Sequence, residues 1–134
     1  MRPFGTQQNV YGIDYEWINH SMAPAAIPSA DFRITIGQDR AQPYSASVFN
    51  ISAMSFGSLS AAAIRALNAG AKQGGFYHDT GEGSISPYHR EAGGDLVWEI
   101  GSGYFGCRND DGSFNEERFP ANARDPQGKM IELK

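Results

Sequence analysis

Hydrophobic and polar positions follow two regimes along the chain. Up to residue 47 the aromatics are scattered, and Pro3, Pro24, Pro28 and Pro43 break any long helix. This stretch reads as an irregular arm, with Tyr11, Tyr15 and Trp17 placed to pin it onto a neighbouring surface. One strand is predicted at 32–36, where Phe32, Ile34 and Ile36 alternate with Arg33 and Thr35 before Gly37. From residue 48 the pattern changes. The mostly apolar run 48–54 predicts a buried strand of the parallel type. A turn at 55–58 leads to a helix over about 60–72, capped by Ser58 or Ser60. Its apolar face gathers Ala62, Ala63, Ala66, Leu67 and Ala71, bulked out by Ile64, with Lys72 in the last turn and Gly74-Gly75 as the stop. A second strand follows at 76–79. Strand, turn, helix and strand make the start of a βαβ unit, most simply a right-handed crossover.

Residues 80–95 form a loop too long for mere connection, and loops of this length in compact domains are usually functional or mobile. Residues 96–100 read as a strand or the first turn of a helix, because so short a run has no decisive period. A glycine-rich turn at 101–106 and the Asn109-Asp110-Asp111-Gly112 turn come next. A short helix is predicted over 115–124, capped by Asn115 or Ser113, with Glu116 and Glu117 at its positive end and Pro120 against its interior. The last strand, 129–134, runs to the final residue, as in a chain cut within a larger fold. There is no internal repeat and no low-complexity tract.

Composition sharpens this picture. A chain of 134 residues is one domain's worth, yet only 25 of them are Ile, Leu, Val or Phe while 23 are Gly or Pro. A thin aliphatic core with much irregular backbone suits an incomplete piece of a larger fold. The net charge of −4 gives no electrostatic reason to bind nucleic acid or an anionic membrane. No apolar run approaches the roughly 18 residues of a spanning helix, and the N-terminus does not read as a signal peptide. A single cysteine excludes a disulfide framework, and an iron–sulfur or Cys-rich zinc site built from this chain alone. A reducing, cytoplasmic setting is expected.

The chemistry concentrates after the predicted strands. Thr80-Gly81-Glu82-Gly83-Ser84 sits where α/β folds bind ligands, at the carboxyl end of a strand. Its glycines let backbone N–H groups come close, and Glu82 becomes an exposed carboxylate able to hold an amine or shuttle a proton. The plain alternative is a solvated glycine turn. In Ala53-Met54-Ser55-Phe56-Gly57, Ser55 can hydrogen-bond a cofactor ring or phosphate and Met54 can pack on a flat ring, unless this is only a strand end with a helix cap. His78, Asp79, Glu82, His89 and Glu91 lie close in sequence but lack a two-histidine helical spacing, so no metal site is expected. His89 and Arg90 are expected to tie down the loop, His20 to lie at the surface and Cys107 to be a packed thiol. Lys134, ending a strand, can face a cofactor phosphate, a flavin ring or a carboxylate substrate, or be an ordinary surface charge.

Taken together the pieces form a recognisable string. Asn50-Ile51-Ser52-Ala53-Met54-Ser55-Phe56-Gly57-Ser58-Leu59-Ser60, then Gly75-Phe76-Tyr77-His78-Asp79-Thr80-Gly81-Glu82-Gly83, Ile85-Ser86-Pro87-Tyr88-His89 and Gly101-Ser102-Gly103-Tyr104-Phe105-Gly106-Cys107-Arg108 resemble the FMN-binding glutamate synthase family. The resemblance runs in the same order from about Pro3 through Lys134. It implies a (β/α)₈ TIM barrel with FMN at the carboxyl ends of the strands, and a hydride from reduced flavin to 2-iminoglutarate, made from 2-oxoglutarate and ammonia, to give L-glutamate. It implies cofactor contacts from Ala53, Met54, Ser55 and Thr80, a substrate-side acid at Glu82 between Gly81 and Gly83, and Lys134 near both flavin and 2-oxoglutarate.

The departures from the family pattern carry their own expectations. The chain stops before the glycine-rich Q-G-A-K-P-G segment that follows the lysine, before the strands that hold the FMN phosphate and before the iron–sulfur cysteines. Ser84 replaces an expected glycine, and Met1-Arg2 replaces the N-terminal cysteine of a glutamine amidotransferase. The electron donor and the ammonia source stay open. A barrel needs about 250 residues. The expected organisation is therefore an arm, 1–47, on the incomplete first part of a barrel, 48–134. Alone it would be weakly active, and a complementing chain or oligomer would finish the ring. The alternatives are a non-catalytic fragment that assembles with a partner, and an FMN-dependent 2-hydroxy-acid oxidase.

Overall fold

The computed structural model describes residues 7–29 and 31–134. Pro3 and the extreme N-terminus lie outside the described residues. The chain divides into two compact units, Met1–Ala30 and Asp31–Lys134. The described part of the first contains no helix or strand. Turns occupy 10–14 and the rest is mostly irregular, and the Tyr15 and Trp17 rings lie 5.9 Å apart, with the Trp17 indole N–H donating to Asn19 Oδ1.

The second unit opens with a hairpin of β1, Arg33–Ile36, and β2, Tyr44–Ser47, paired antiparallel from Arg33↔Ser47 to Ile36↔Tyr44. The sequence reading misses β2, whose Tyr-Ser-Ala-Ser run has little apolar weight. The strand expected at 32–36 is present, but its apolar alternation buries no face: Ile34 remains 50% exposed, and the hairpin's buried residue is Ala46.

The predicted strand 48–54 is corrected by the structure. Only Ile51 forms a parallel bridge, to His78, and Val48 is 65% exposed. The cause is Asn50. Its Oδ1 accepts the Tyr77 N–H at 3.2 Å and its Nδ2 donates to Ser47 O at 2.8 Å, so a side chain takes over backbone bonds that a longer strand would make.

The helix follows as expected in place, as α1, Ala61–Gly74. Ser60 Oγ caps it by accepting the Ala63 N–H, and Gly75 closes it in the left-handed conformation. Its buried face differs from the one predicted. Ile64, Asn68 and Ala71 are buried at i, i+4 and i+7, whereas Ala62 and Ala66 are exposed. A polar residue occupies the centre of the face because it has a specific task. Asn68 Oδ1 accepts the Gly94 N–H at 2.9 Å, satisfying a buried donor where the helix meets the loop.

Three parallel strands then stand in the order β3, His78–Asp79; β4, Leu96–Ile100; β5, Gly128–Leu133. Ile51 extends this order on the far side of β3. β4 is central and buried at every residue, which settles it as a strand. The loop before it carries the short α2, Pro87–Arg90, and the loop after it α3, Arg118–Ala123. α3 begins later than predicted, because Asn115 Oδ1 accepts the N–H groups of Glu117 and Arg118 in a turn ahead of it; Pro120 then falls in the first helical turn, where it is tolerated. One face of β4 packs Trp98 and Ile100 with Cys107, against Ile85, Phe119 and Ala123. Alternation sends Val97 and Glu99 to the opposite face.

Candidate functional site

Four chain segments leave the carboxyl ends of the parallel strands and meet. The first carries Ser55, held where the Met54 N–H donates to Asp79 O at 3.1 Å. The second is the Thr80–Ser84 turn after β3. Ser55 Oγ accepts the Gly83 N–H at 3.1 Å, joining the two. Gly81 has φ +66°, and a Cβ there would lie 2.8 Å from Ser55 N. The glycines of this turn therefore admit the Ser55 segment itself. The third segment is Gly101, where a Cβ would meet Glu82 Cβ at 2.9 Å, so the Glu82 stem lies across it. The fourth is Lys134 at the end of β5. Its Nζ lies 3.5 Å from Glu82 Oε2 and 3.9 Å from Glu99 Oε1.

The structure thus brings Ser55, Gly81, Glu82, Gly83 and Lys134 together. Met54 is half-buried beside them, and Ala53 lines a cleft of about 460 Å³ with Ile51, Tyr77, Asp79 and Glu132. Thr80 is placed differently. It is buried, and its Oγ1 donates to Gly81 O and accepts the Glu99 N–H, so its hydroxyl serves the turn. Two larger hollows, of about 610 and 620 Å³, surround Lys129 near the amino end of β5, away from these side chains.

Sequence reasoning missed a row of acids. Asp79, Glu99 and Glu132 point to one face of adjacent strands, with carboxylate oxygens within 4.8 Å of one another. Glu99 and Glu132 are direct neighbours in the β4–β5 register. Burial pushes the Asp79 carboxyl up to about 7, against the lowering effect of the Gly81 N–H and with help from the Glu132 and Glu99 charges. Asp79 can therefore hold a proton near neutral pH beside the other two carboxylates. The available signal was one glutamate interrupting each of two apolar strands. The sequence cluster of His78, Asp79, Glu82, His89 and Glu91 does not converge on one point: His78 lies beside His89, and Asp79 joins the acid row. Glu91 pairs with Arg65 at 2.6 Å, and Arg90 pairs with Asp125.

Behind the turn the two histidine rings lie 5.1 Å apart. Burial, then His89, lowers His78 to about 4, and its ring nitrogens have no hydrogen-bond partner among the described residues. His89 bonds to Ser86 and to Met54 O, tying down the loop as expected. Cys107 is buried, and burial raises its thiol. No helix among the described residues is long and apolar enough to cross a membrane.

Comparison with known proteins adds to this geometry. A family model described as a conserved region in glutamate synthase matches residues 20–120. A glutamate synthase large subunit-like protein, YerD, from Bacillus subtilis (strain 168) is 45% identical over 84 residues. That alignment covers 62% of this chain and 16% of YerD, so the chain spans a small part of the relative's length. No solved structure matches it. With most of its length inside the family match, and the matched region containing the strand ends that gather Ser55 and Glu82, this chain belongs to the glutamate synthase family.

Proposed function

We propose that this chain is part of a glutamate synthase-type FMN oxidoreductase and forms the first βα units of its (β/α)₈ barrel. The parallel order from Ile51 through β3, β4 and β5 supports the barrel reading, since successive neighbouring parallel strands are how such a ring is built. The open edge of β5, with Leu133 79% exposed, favours further strands pairing there, from the rest of a longer protein or from a complementing chain. The setting is taken to be cytoplasmic.

The residues present suit the ring end of FMN. Ser55 Oγ already accepts the Gly83 N–H, which leaves its own proton to donate to a ring heteroatom. Lys134 brings an ammonium that favours negative charge on the ring, and Met54 and Ala53 offer apolar contact. The phosphate end falls to later strands of the barrel. FMN, when bound and reduced, supplies the hydride that converts 2-iminoglutarate into L-glutamate. Glu82 holds ammonia or the iminium nitrogen through its carboxylate, with the backbone of Gly81 and Gly83 shaping the substrate side. Lys134 also attracts a carboxylate of 2-oxoglutarate, while Glu82 and Glu99 keep its ammonium in place.

The single observation that carries this reading is the convergence of Ser55, Glu82 and Lys134, with Gly83 N–H to Ser55 Oγ at 3.1 Å and Lys134 Nζ to Glu82 Oε2 at 3.5 Å. The test is to titrate FMN into the protein and follow flavin absorbance, then supply reductant, 2-oxoglutarate and ammonia and measure glutamate. The expected result is flavin binding, with glutamate formed once the remaining strands are provided. A folded, completed barrel that retains no flavin would reject the reading.

A further inference from the structure

His89 is buried with 0% exposure in α2, and both its ring nitrogens meet backbone groups that have no choice of role. The Ser86 N–H lies 3.1 Å from Nδ1 and can only donate, so Nδ1 is the acceptor. Met54 O lies 3.0 Å from Nε2 and can only accept, so Nε2 carries the proton. The Ser86 hydroxyl, 2.8 Å from Nδ1, accepts the His89 backbone N–H and has its own proton to give to the same nitrogen. The imidazole is therefore neutral and of one tautomer. Its Nδ1 side closes the cap of α2 with Ser86, a local structural task. Its Nε2 side reaches a residue 35 positions earlier, in the segment that presents Ser55.

The Met54 carbonyl belongs to the Met54–Ser55 peptide. That unit is planar and trans, so fixing the carbonyl fixes the plane and directs the Ser55 N–H away from His89. The Met54 N–H is also held, by Asp79 O at 3.1 Å. Met54 is thus anchored through both its N–H and its C=O, and Ser55 leaves it in a defined direction toward Gly83.

We propose that His89 is a positioning residue for the candidate flavin site: its Nε2–H, by holding the Met54 carbonyl, sets the backbone from which the Ser55 hydroxyl is offered to a ring ligand. The flavin part of this inference rests on the proposed function, whereas the positioning part stands on this chain's own contacts.

Two substitutions separate the ring's two tasks. His89→Gln places an amide N–H near the Nε2 position and keeps the hold on Met54. His89→Asn reaches only the Nδ1 position and keeps only the cap. The probe is FMN titrated into the full chain. A second readout needs no flavin: amide exchange of Gly83, whose partner is Ser55 Oγ. The expected result is that His89→Gln keeps FMN affinity and Gly83 exchange within about threefold, while His89→Asn weakens the first and accelerates the second by about tenfold, the loss of one hydrogen bond. Equal behaviour of the two variants in Gly83 exchange would overturn the proposal. If wild type takes up no FMN, the flavin reading fails, and Gly83 exchange still decides the role of His89. The ring ¹⁵N shifts of the unaltered protein supply a check that no folding defect can blur: they should report a protonated Nε2 and a bare Nδ1, and the opposite tautomer would also overturn it.

Discussion

Ser55 Oγ accepts the Gly83 N–H at 3.1 Å, and a Cβ built on Gly83 would fall 2.3 Å from that same oxygen. At Gly81 the added Cβ would meet Ser55 backbone instead, and the residue sits at φ +66°. The two glycines therefore fail differently. Gly81→Ala must strain a left-handed backbone, about 1–2 kcal/mol, and displace a neighbouring main chain, about 1–3 kcal/mol more. Gly83→Ala can be largely relieved by rotating the Ser55 hydroxyl aside, with the Phe56 carbonyl, 3.2 Å from the added Cβ, giving by a few tenths of an ångström. Denaturant unfolding should show a large loss for Gly81→Ala and a much smaller one for Gly83→Ala. Flavin titration should show Gly83→Ala impaired despite its better stability. Equal stability losses in the two variants would mean that Ser55 does not seat against this turn.

Ser84 adopts φ 71°, a conformation in which glycine pays no steric cost. The residue is buried beside Gly106, whose added Cβ would come against the Ser84 side chain. Ser84→Gly removes the left-handed strain, and the greater freedom of the unfolded chain takes back part of the gain. The net expectation is a stabilisation of up to about 1 kcal/mol, seen as a higher denaturation midpoint with an unchanged slope. A lower midpoint would show that the buried hydroxyl contributes more than the backbone strain removes.

Asp79 and His78 give the protein opposed responses to pH. Asp79 titrates near 7 when folded and near 4 when unfolded, so its folded form binds the extra proton and stability falls as pH rises from about 4 to 7. His78 titrates near 4 when folded and near 6.5 when unfolded, so stability falls as pH drops from about 6.5 to 4. Each tenfold difference in proton affinity between the folded and unfolded forms is worth about 1.4 kcal/mol, and the two slopes oppose one another across the same window. Asp79→Asn keeps an acceptor for the Gly81 N–H and should leave a protein that gains stability from pH 4 to 6.5. His78→Phe should leave one that loses stability from pH 4 to 7. Urea unfolding at several pH values tests this, and two variants with parallel pH profiles would refute it.

Legibility in the sequence followed the source of each bond. α1 was readable because Ser60, the alanine-rich run and Gly74-Gly75 act within a few residues of one another. β4 was readable only as an apolar element, strand or helix, and burial of every residue between two neighbouring strands is what makes it a strand. Asn50 was not readable as a strand breaker, because its effect depends on Tyr77, far along the chain. Asn68 was hidden for the same reason: its partner, Gly94, belongs to another loop. The candidate site divides similarly. Glu82 and Ser55 lie in glycine-marked turns and stand out. Glu99 and Glu132 become a pair only through the parallel register, which the hydrophobic pattern leaves unspecified.

Lys134 separates stability from function. Its side chain is 61% exposed and that of Glu82 57%, so their pair is screened by solvent and contributes between about 0 and 1 kcal/mol to folding. Glu99 is the more sensitive partner, being buried with Lys134 Nζ 3.9 Å from Oε1. Lys134→Met keeps the stem and removes the charge. It should lower the unfolding midpoint modestly, because Glu99 is left buried beside Asp79 and Glu132 without its cation. In a completed barrel the same change should lower glutamate formation by about a hundredfold or more, the scale seen when one charge-stabilising group is removed from an active site. Lys134→Arg should recover stability but not activity, because a planar fork cannot take the place of a compact ammonium between Glu82 and Glu99. Measured together, a modest midpoint shift and a large loss of turnover per folded molecule would place the cation at the reacting centre. A large loss of stability with unaltered turnover per folded molecule would instead make it a buttress for the acid row.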